Sequence, residues 1–161
     1  MQRIGFGYDI HRLDAGGPLV MGGVQIEHDQ HLAGHSDGDA VLHAVTDAVL
    51  GAIAAGDIGQ HFPDSDAKWR GADSARFVAH AVKLATESGY SVGNCDITVI
   101  AERPKLGPHR QAMQERIAEL LGVEHSAVSV KAKTNEGLGP VGRQEAIAAM
   151  AVVILVAARS T

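Results

Sequence analysis

The chain has one cysteine, Cys95, among its 161 residues. No intramolecular disulfide can form, and a cysteine-rich metal site is excluded. That usage fits a reducing compartment, and a cytoplasmic protein is expected. Positive charge is also scarce: 14 Lys and Arg against 19 Asp and Glu leave a net charge of −5. A general binder of phosphate backbones needs a basic surface, so nucleic acid is not expected as a partner. The one apolar segment of concern, AIAAMAVVILVAA near the C-terminus, falls short of the roughly 20 residues that cross a bilayer, so no membrane span is expected. MQRIGFGYDI lacks the charged start, apolar run and small-residue cleavage site of a secretory signal. No repeat, low-complexity tract or linker interrupts the sequence. Its length suits one compact domain, expected over 1–161, and is too short for two ordinary ones.

Residues 2–12 and 18–26 read as strands of a small N-terminal β-hairpin around Gly16 and Gly17. HSDGDAVLHAVTDAVLGAIAAG reads as a helix capped by Ser36 and stopped by Gly56. A turn-rich loop, DIGQHFPDSDAKWRGA, precedes a second amphipathic helix that ends at Gly89. CDITVIAE and AVSVKAKT read as strands, residues 108–121 as a third helix ended by Gly122, and the β-branched VVILV run as the last strand. Strands and helices alternate without segregating. The expected fold is α/β (α+β): a mixed four-stranded sheet with helices packed on one face, plus the hairpin. The last strand shows little polar alternation, so both of its faces need cover. Helices supply one cover, and a second copy of the subunit is the economical other.

Candidate chemistry begins at GYDIH. In an extended strand Asp9 and His11 project from one side, about 7 Å apart along the backbone, as a metal-ligand pair or as a polar strand edge. A catalytic zinc site needs three such donors and an open position. Of the other histidines, His43 is the best third: it sits among Val41, Leu42, Ala44 and Val45, where an unpaired imidazole is costly to bury. Asp39 and Asp47, four residues to either side, are expected to accept its second ring proton; the alternative is a surface hydrogen-bond pair. His35 and Ser36 stand ahead of a helix whose free amides would seat a phosphate, unless Ser36 is a plain cap. Asp57, Asp64 and Asp66, around Gly59 and Pro63, can bind polyol hydroxyls or merely solvate a turn. KAKTNEGLGPVGR offers charge (Lys131, Lys133, Arg143), neutral donors (Thr134, Asn135) and a hard oxygen ligand, Glu136, suited to Mg²⁺ beside phosphates. It lacks the P-loop order. The stiff loop at 101–108, AERPKLGP, either presents backbone groups to a base or connects elements.

Side by side, these segments resemble the 2-C-methyl-D-erythritol 2,4-cyclodiphosphate synthases of the non-mevalonate isoprenoid pathway. The likeness runs in order through RIGFGYDIH, GHSDGDA, LHAVTDA, GDIGQHFPD, RGADS, KAKTNE and GRQE, nearly the whole length. It implies a homotrimer whose sheets face the axis and whose active sites lie between neighbouring subunits. It implies zinc on Asp9, His11 and His43, and a second divalent ion, Mg²⁺ or Mn²⁺, held by Glu136 and the substrate diphosphate. The implied substrate is 4-diphosphocytidyl-2-C-methyl-D-erythritol 2-phosphate, cyclised with loss of CMP. His35 and Thr134 match transition-state stabilisers. Ser36, Asp57, Ile58, Gly59, Phe62, Pro63, Asp64, Ser65 and Asp66 match contacts to the phosphates and sugar hydroxyls. Ala101, Glu102, Arg103, Pro104, Lys105, Leu106 and Gly107 match the loop that reads cytosine through its backbone. Lys133, Asn135 and Arg143 complete the implied contacts.

Two positions depart from the family pattern: Pro140 stands where relatives commonly have an aromatic, and Gln144 where a glycine is common. Arg143 and Glu145 would lie near the trimer axis, where some members bind an isoprenoid diphosphate in an apolar channel. With 161 residues, no fused cytidylyltransferase domain is expected, though a separate transferase could associate. On the residues alone, a zinc-dependent phosphohydrolase and a non-catalytic isoprenoid-binding trimer stay open as alternatives.

Overall fold

The computed structural model describes residues 1–158, so residues 159–161 of the expected domain lie outside the described residues. In chain order the elements are β1 (Gln2–Ala15), β2 (Leu19–Met21), β3 (Val24–Ile26), β4 (Gln30–Leu32), α1 (Ala40–Ala52), α2 (Ile58–His61), α3 (Ala75–Glu87), β5 (Tyr90–Ile100), α4 (Arg110–Leu121), β6 (Val128–Lys133), α5 (Gly139–Gly142) and β7 (Ala146–Ala157). β7 runs antiparallel between β1 and β5, and β6 joins β5 in parallel. These are the four expected strands. A fifth, β4, pairs with the end of β1, so the sheet order is β4-β1-β7-β5-β6.

The N-terminal hairpin differs from expectation. Residues 18–26 are not one strand set against β1; β2 and β3 pair with each other. Gly22 and Gly23, with φ of 61° and 72°, make the turn between them, a conformation that glycine adopts without steric cost. The first helix is also shorter than predicted. Its cap is Asp39 rather than Ser36, and Ala54 already turns left-handed at φ 57°, before Gly56 is reached. The third helix ends as expected on Gly122, left-handed at φ 67°.

Two glycines decide how the first helix meets the sheet. Gly5 and Gly7 leave one side of β1 bare, and α1 lies directly on that backbone. A Cβ on Gly7 would come within 1.9 Å of the Ala44 carbonyl oxygen, and one on Gly5 within 1.7 Å of that of Ala48. Leu42, Val45 and Leu50 of α1 pack with Met113 and Ile117 of α4 and with Ile97, Ile147 and Leu155 of the sheet. Ile97, Ile147 and Leu155 are fully buried on this helical face. On the other face Ile4, Phe6, Tyr8 and Ile10 of β1 and Val152 of β7 are exposed, Ile4 by 69% and Phe6 by 61%. Among the described residues no helix is long and apolar enough to cross a membrane. The apolar C-terminal run is β7, at the centre of the sheet.

Candidate active site

Asp9 and His11 share the helix-facing side of β1, and the close seat of α1 on that strand brings His43 against them. Asp9 Oδ2 lies 2.8 Å from His11 Nε2 and 3.0 Å from His43 Nδ1, and the two ring nitrogens are 3.2 Å apart. Among the described residues this is the one cluster of three such side chains able to hold a metal ion, with ligand atoms all within 4.8 Å of one another. His11 Nδ1 bonds to the Ala33 carbonyl. A carbonyl only accepts, so Nδ1 carries a proton; a charged His11 holds its second proton on Nε2 against Asp9, and a neutral one offers that nitrogen's lone pair to a cation. Burial alone would raise the Asp9 carboxyl, but hydrogen bonds and charge from His11 and His43 hold it down at about 2. Burial likewise works against a charged His11, yet Asp9 and the Ala33 carbonyl raise its pKa above the usual 6.5. Two imidazole nitrogens and one carboxylate oxygen on a common point, with the outer ring nitrogens engaged elsewhere, fit a divalent metal.

The outer partners of His43 are not those expected. Asp39 is fully buried and accepts from four backbone amides: Gly22, Gly23, Val41 and Leu42. Asp47 accepts from Ile58 N at 2.7 Å. Each carboxylate is spent on fastening α1 to a neighbouring segment, and neither reaches the ring. His43 Nε2 instead meets Ser74 Oγ at 2.9 Å and Ser36 Oγ at 3.0 Å. The amides at the start of α1 are likewise not a free phosphate seat, because Asp39 occupies Val41 N and Leu42 N.

A cavity of about 490 Å³ opens over the cluster. His35, Ser36, Ile58, Gly59, Phe62, Pro63 and Asp64 line it as anticipated, joined by Gly34, Trp69 and Phe77, which the sequence did not single out. A signal for the aromatic pair existed: the chain has only three Phe and one Trp, and three of those four gather here. Phe62 lies 4.3 Å from Phe77 and edge-on to Trp69 at 4.9 Å, between ring centroids. His35 Nε2 and Trp69 Nε1 are buried with no hydrogen-bond partner among the described residues. Asp57, Ser65 and Asp66 fall outside the lining. Asp57 caps α2 by accepting from Gln60 N at 3.0 Å, and Asp66 pairs with Lys68 at 2.6 Å.

A second cavity, of about 410 Å³, is lined by Ala101, Glu102, Pro104, Lys105, Leu106 and Gly107, with Lys133 and Thr134 on its other wall. Arg103 faces an adjoining recess with His28 and Gln144, which shares Glu102, Pro104 and Lys105 with this cavity. Glu102 Oε1 accepts from Asn135 N at 2.8 Å and Gly137 N at 3.3 Å, tying the two loops together. Thr134 Oγ1 donates to Glu136 Oε1 at 2.8 Å. Arg143 forms a fork-like pair with Glu145 at 2.8 and 3.1 Å. Pro140 sits in the first turn of α5, and Gln144 is left-handed at φ 62°, a conformation a glycine adopts without strain. The two cavities share no lining residue, and Glu136, Asn135 and Arg143 lie outside both. Glu136 therefore does not line the cavity at Asp9, His11 and His43.

Comparison with known proteins agrees along the whole described chain. The YgbB family profile matches residues 2–156. The 2-C-methyl-D-erythritol 2,4-cyclodiphosphate synthase of Xanthomonas campestris pv. campestris (strain B100) is 60% identical over 153 residues, covering 95% of this chain and 94% of that one. The bifunctional enzyme IspD/IspF of Erythrobacter litoralis (strain HTCC2594) is 57% identical over 154 residues, 96% of this chain but 40% of that protein, so the chain spans less than half of this bifunctional relative. The solved structure of Plasmodium falciparum IspF in its CDP complex is similar with a TM-score of 0.86 at 37% identity, covering 98% of this chain and 97% of that one. The bifunctional IspDF from Campylobacter jejuni gives 0.93 at 41% identity, over 96% of this chain and 42% of that one. With its sequence matched from residue 2 to 156 and its fold shared with these solved structures, the chain belongs to the YgbB family, that of the 2-C-methyl-D-erythritol 2,4-cyclodiphosphate synthases.

Proposed function

We propose that the chain converts 4-diphosphocytidyl-2-C-methyl-D-erythritol 2-phosphate into 2-C-methyl-D-erythritol 2,4-cyclodiphosphate and CMP, as a cyclising phosphorus–oxygen lyase of isoprenoid precursor synthesis. One observation carries the reading: the Asp9, His11 and His43 cluster lies at the first cavity of a chain 60% identical, nearly end to end, to a relative of that name. An oxygen of the 2-phosphate bonds to the β-phosphorus. The bond from that phosphorus to the oxygen bridging it to the α-phosphorus breaks, and CMP leaves with the bridging oxygen. The nucleophile is already an anion, so no strong base is required. The task is to bring two negative groups together and to stabilise the charge that develops.

Asp9, His11 and His43 would hold zinc, and Glu136 with the substrate diphosphate a magnesium or manganese ion. These cations supply positive charge to the diphosphate oxygens. His35, whose buried Nε2 has no partner among the described residues, donates to a phosphate oxygen. Thr134 turns its hydroxyl from Glu136 to the same group. Lys133 and Asn135 add donors, Ser36 with Asp57, Ile58, Gly59 and Phe62, Pro63, Asp64, Ser65 and Asp66 bind the phosphate and sugar end, and the backbone of 101–107 faces the cytosine. Because the two cavities share no residue, the site closes when the second cavity of one subunit meets the first of its neighbour, in a homotrimer with its sheets toward the axis. The exposed apolar row from Ile4 to Ile10 supports that assembly. Arg143 would lie near this axis, beside a channel able to take an isoprenoid diphosphate. The free, buried Cys95 suits the cytoplasm.

Phosphorus NMR of a turnover with the cytidyl substrate, zinc and magnesium tests the reading. A cyclic diphosphate and CMP are expected, and His43→Ala should slow their formation by about 10²–10³-fold. Linear phosphates as the sole products would overturn it.

A further inference from the structure

Ser74 is the N-cap of α3, a place where serine ordinarily gives its hydroxyl oxygen to the first amides of the helix. Here it does not. The Ser74 hydroxyl makes no bond to α3, and Asp73 accepts from Ala75 N at 2.8 Å instead. Ser74 is fully buried, with Oγ between the Asp37 carboxylate and His43 Nε2. An ionised carboxylate only accepts, so Ser74 donates its single proton to Asp37. The Ser74 oxygen then needs a donor, and the group facing it at 2.9 Å is His43 Nε2. The imidazole proton is thereby placed on Nε2. In a neutral ring Nδ1, 3.0 Å from Asp9 Oδ2, is then the nitrogen left with a lone pair for a cation.

We propose that Asp37 and Ser74 are positioning residues: they lock His43 in the Nε2–H tautomer and so set the affinity of the Asp9, His11 and His43 centre for a divalent ion. The proposal rests on the reading of those three side chains as metal ligands. Ser36 cannot substitute for the pair. Its Oγ also lies 3.0 Å from His43 Nε2, but its other partners among the described residues are Ser74 Oγ and the Gly38 amide, and no carboxylate among them fixes its proton. The relay is carried by a backbone frame that does not need the Ser74 hydroxyl. Ser74 N donates to Asp37 Oδ2 at 3.1 Å, Asp37 N to Ala72 O at 3.0 Å, and Gly71 N to His35 O at 2.8 Å. Removing the hydroxyl therefore leaves the two loops joined and α3 capped.

The test compares metal-free wild type, Ser74→Ala and Asp37→Asn. Zinc is titrated against a chromophoric chelator, and nitrogen NMR of labelled histidine rings reads the tautomer. Ser74→Ala is expected to bind zinc about 10–100-fold more weakly, the usual effect of losing such a partner to a ligating histidine. The His43 ring signals should move from the Nε2–H pattern toward a mixture while the melting temperature stays near that of wild type. Asp37→Asn, which leaves a weaker acceptor, should shift both readouts the same way by less. Wild-type zinc affinity and an intact Nε2–H signature in both variants would overturn the proposal. A wild-type chain that binds no zinc would instead overturn the metal reading beneath it.

Discussion

The proton on His11 competes with any cation for the same nitrogen. Asp9 and the Ala33 carbonyl, against the opposing effect of burial, raise the pKa of this imidazole above 6.5 in the metal-free fold. A ligating imidazole must be neutral. Between 6.5 and the raised value, a cation must therefore expel a proton, and affinity rises with pH until that value is passed. Calorimetry of zinc binding in buffers of differing ionisation enthalpy should show proton release near pH 6.5; an affinity independent of pH across this window would contradict it. The same pair links folding to pH. The share of stability from His11 is complete below 6.5 and fades as pH rises through its raised pKa. That from Asp9 is complete above 3.8 and is lost as pH falls from there through its folded value of about 2. The Asp9 and His11 pairing was legible in the sequence because strand geometry is local. The partners of His43 were not. Helical spacing nominated Asp39 and Asp47, but it reports only which residues share a stripe, and each carboxylate is taken up by backbone amides, those of Gly22, Gly23, Val41 and Leu42 for Asp39 and that of Ile58 for Asp47. The role of Ser74 was not legible either, since nothing local reveals that its hydroxyl turns away from its own helix.

At the scale of elements, contact between α1 and β1 fixes where His43 stands. Gly7→Ala would force a methyl to 1.9 Å from the Ala44 carbonyl oxygen. Such overpacking typically costs about 1–3 kcal/mol, with backbone collisions at the upper end. At about 2–4 °C per kcal/mol for a chain of this size, the melting temperature should drop by several degrees, with weaker zinc binding alongside. Gly51→Ala is the matched control in the same helix: its nearest neighbour would be the Phe6 carbonyl oxygen at 3.9 Å. That change should stabilise the fold by about 0.5–1 kcal/mol. Thermal melts of both variants separate a steric role for Gly7 from a general tolerance of alanine. Most of these elements could be read from periodicity, and β7 was legible from its β-branched run. The N-terminal hairpin was misplaced because two Gly-Gly pairs compete there, at 16–17 and 22–23, and composition cannot tell which one reverses the chain. The structure picks the second, where Asp39 also receives both amides.

For the molecule as a whole, the sheet has one face under helices and one in the open. Across that open face Ile4 pairs with Ile154, Phe6 with Val152 and Tyr8 with Met150, an apolar strip continuous over two strands. It gives way to Asp96 and Lys131, paired at 2.6 Å, toward the β6 edge. Phe6→Asp should convert the proposed trimer to monomers, measured by size exclusion with light scattering, and abolish turnover while leaving zinc affinity close to wild type. A monomeric wild-type chain, or an active monomeric variant, would refute the shared-site arrangement. The need for a cover was foreseeable from the unbroken apolar run of β7. A division of the site was foreseeable only through the family resemblance, because local pattern does not say which loops gather at one cavity.

β1 itself carries two separate duties on its two sides. Asp9 and His11 point inward with Gly5 and Gly7, while Ile4, Phe6, Tyr8 and Ile10 point outward. A slip of one residue would exchange the two sets at a stroke. Selection on such a ribbon cannot relax one flank without endangering the other, so a survey of substitutions should find intolerance at nearly every position from 4 to 11, with the cause alternating from residue to residue.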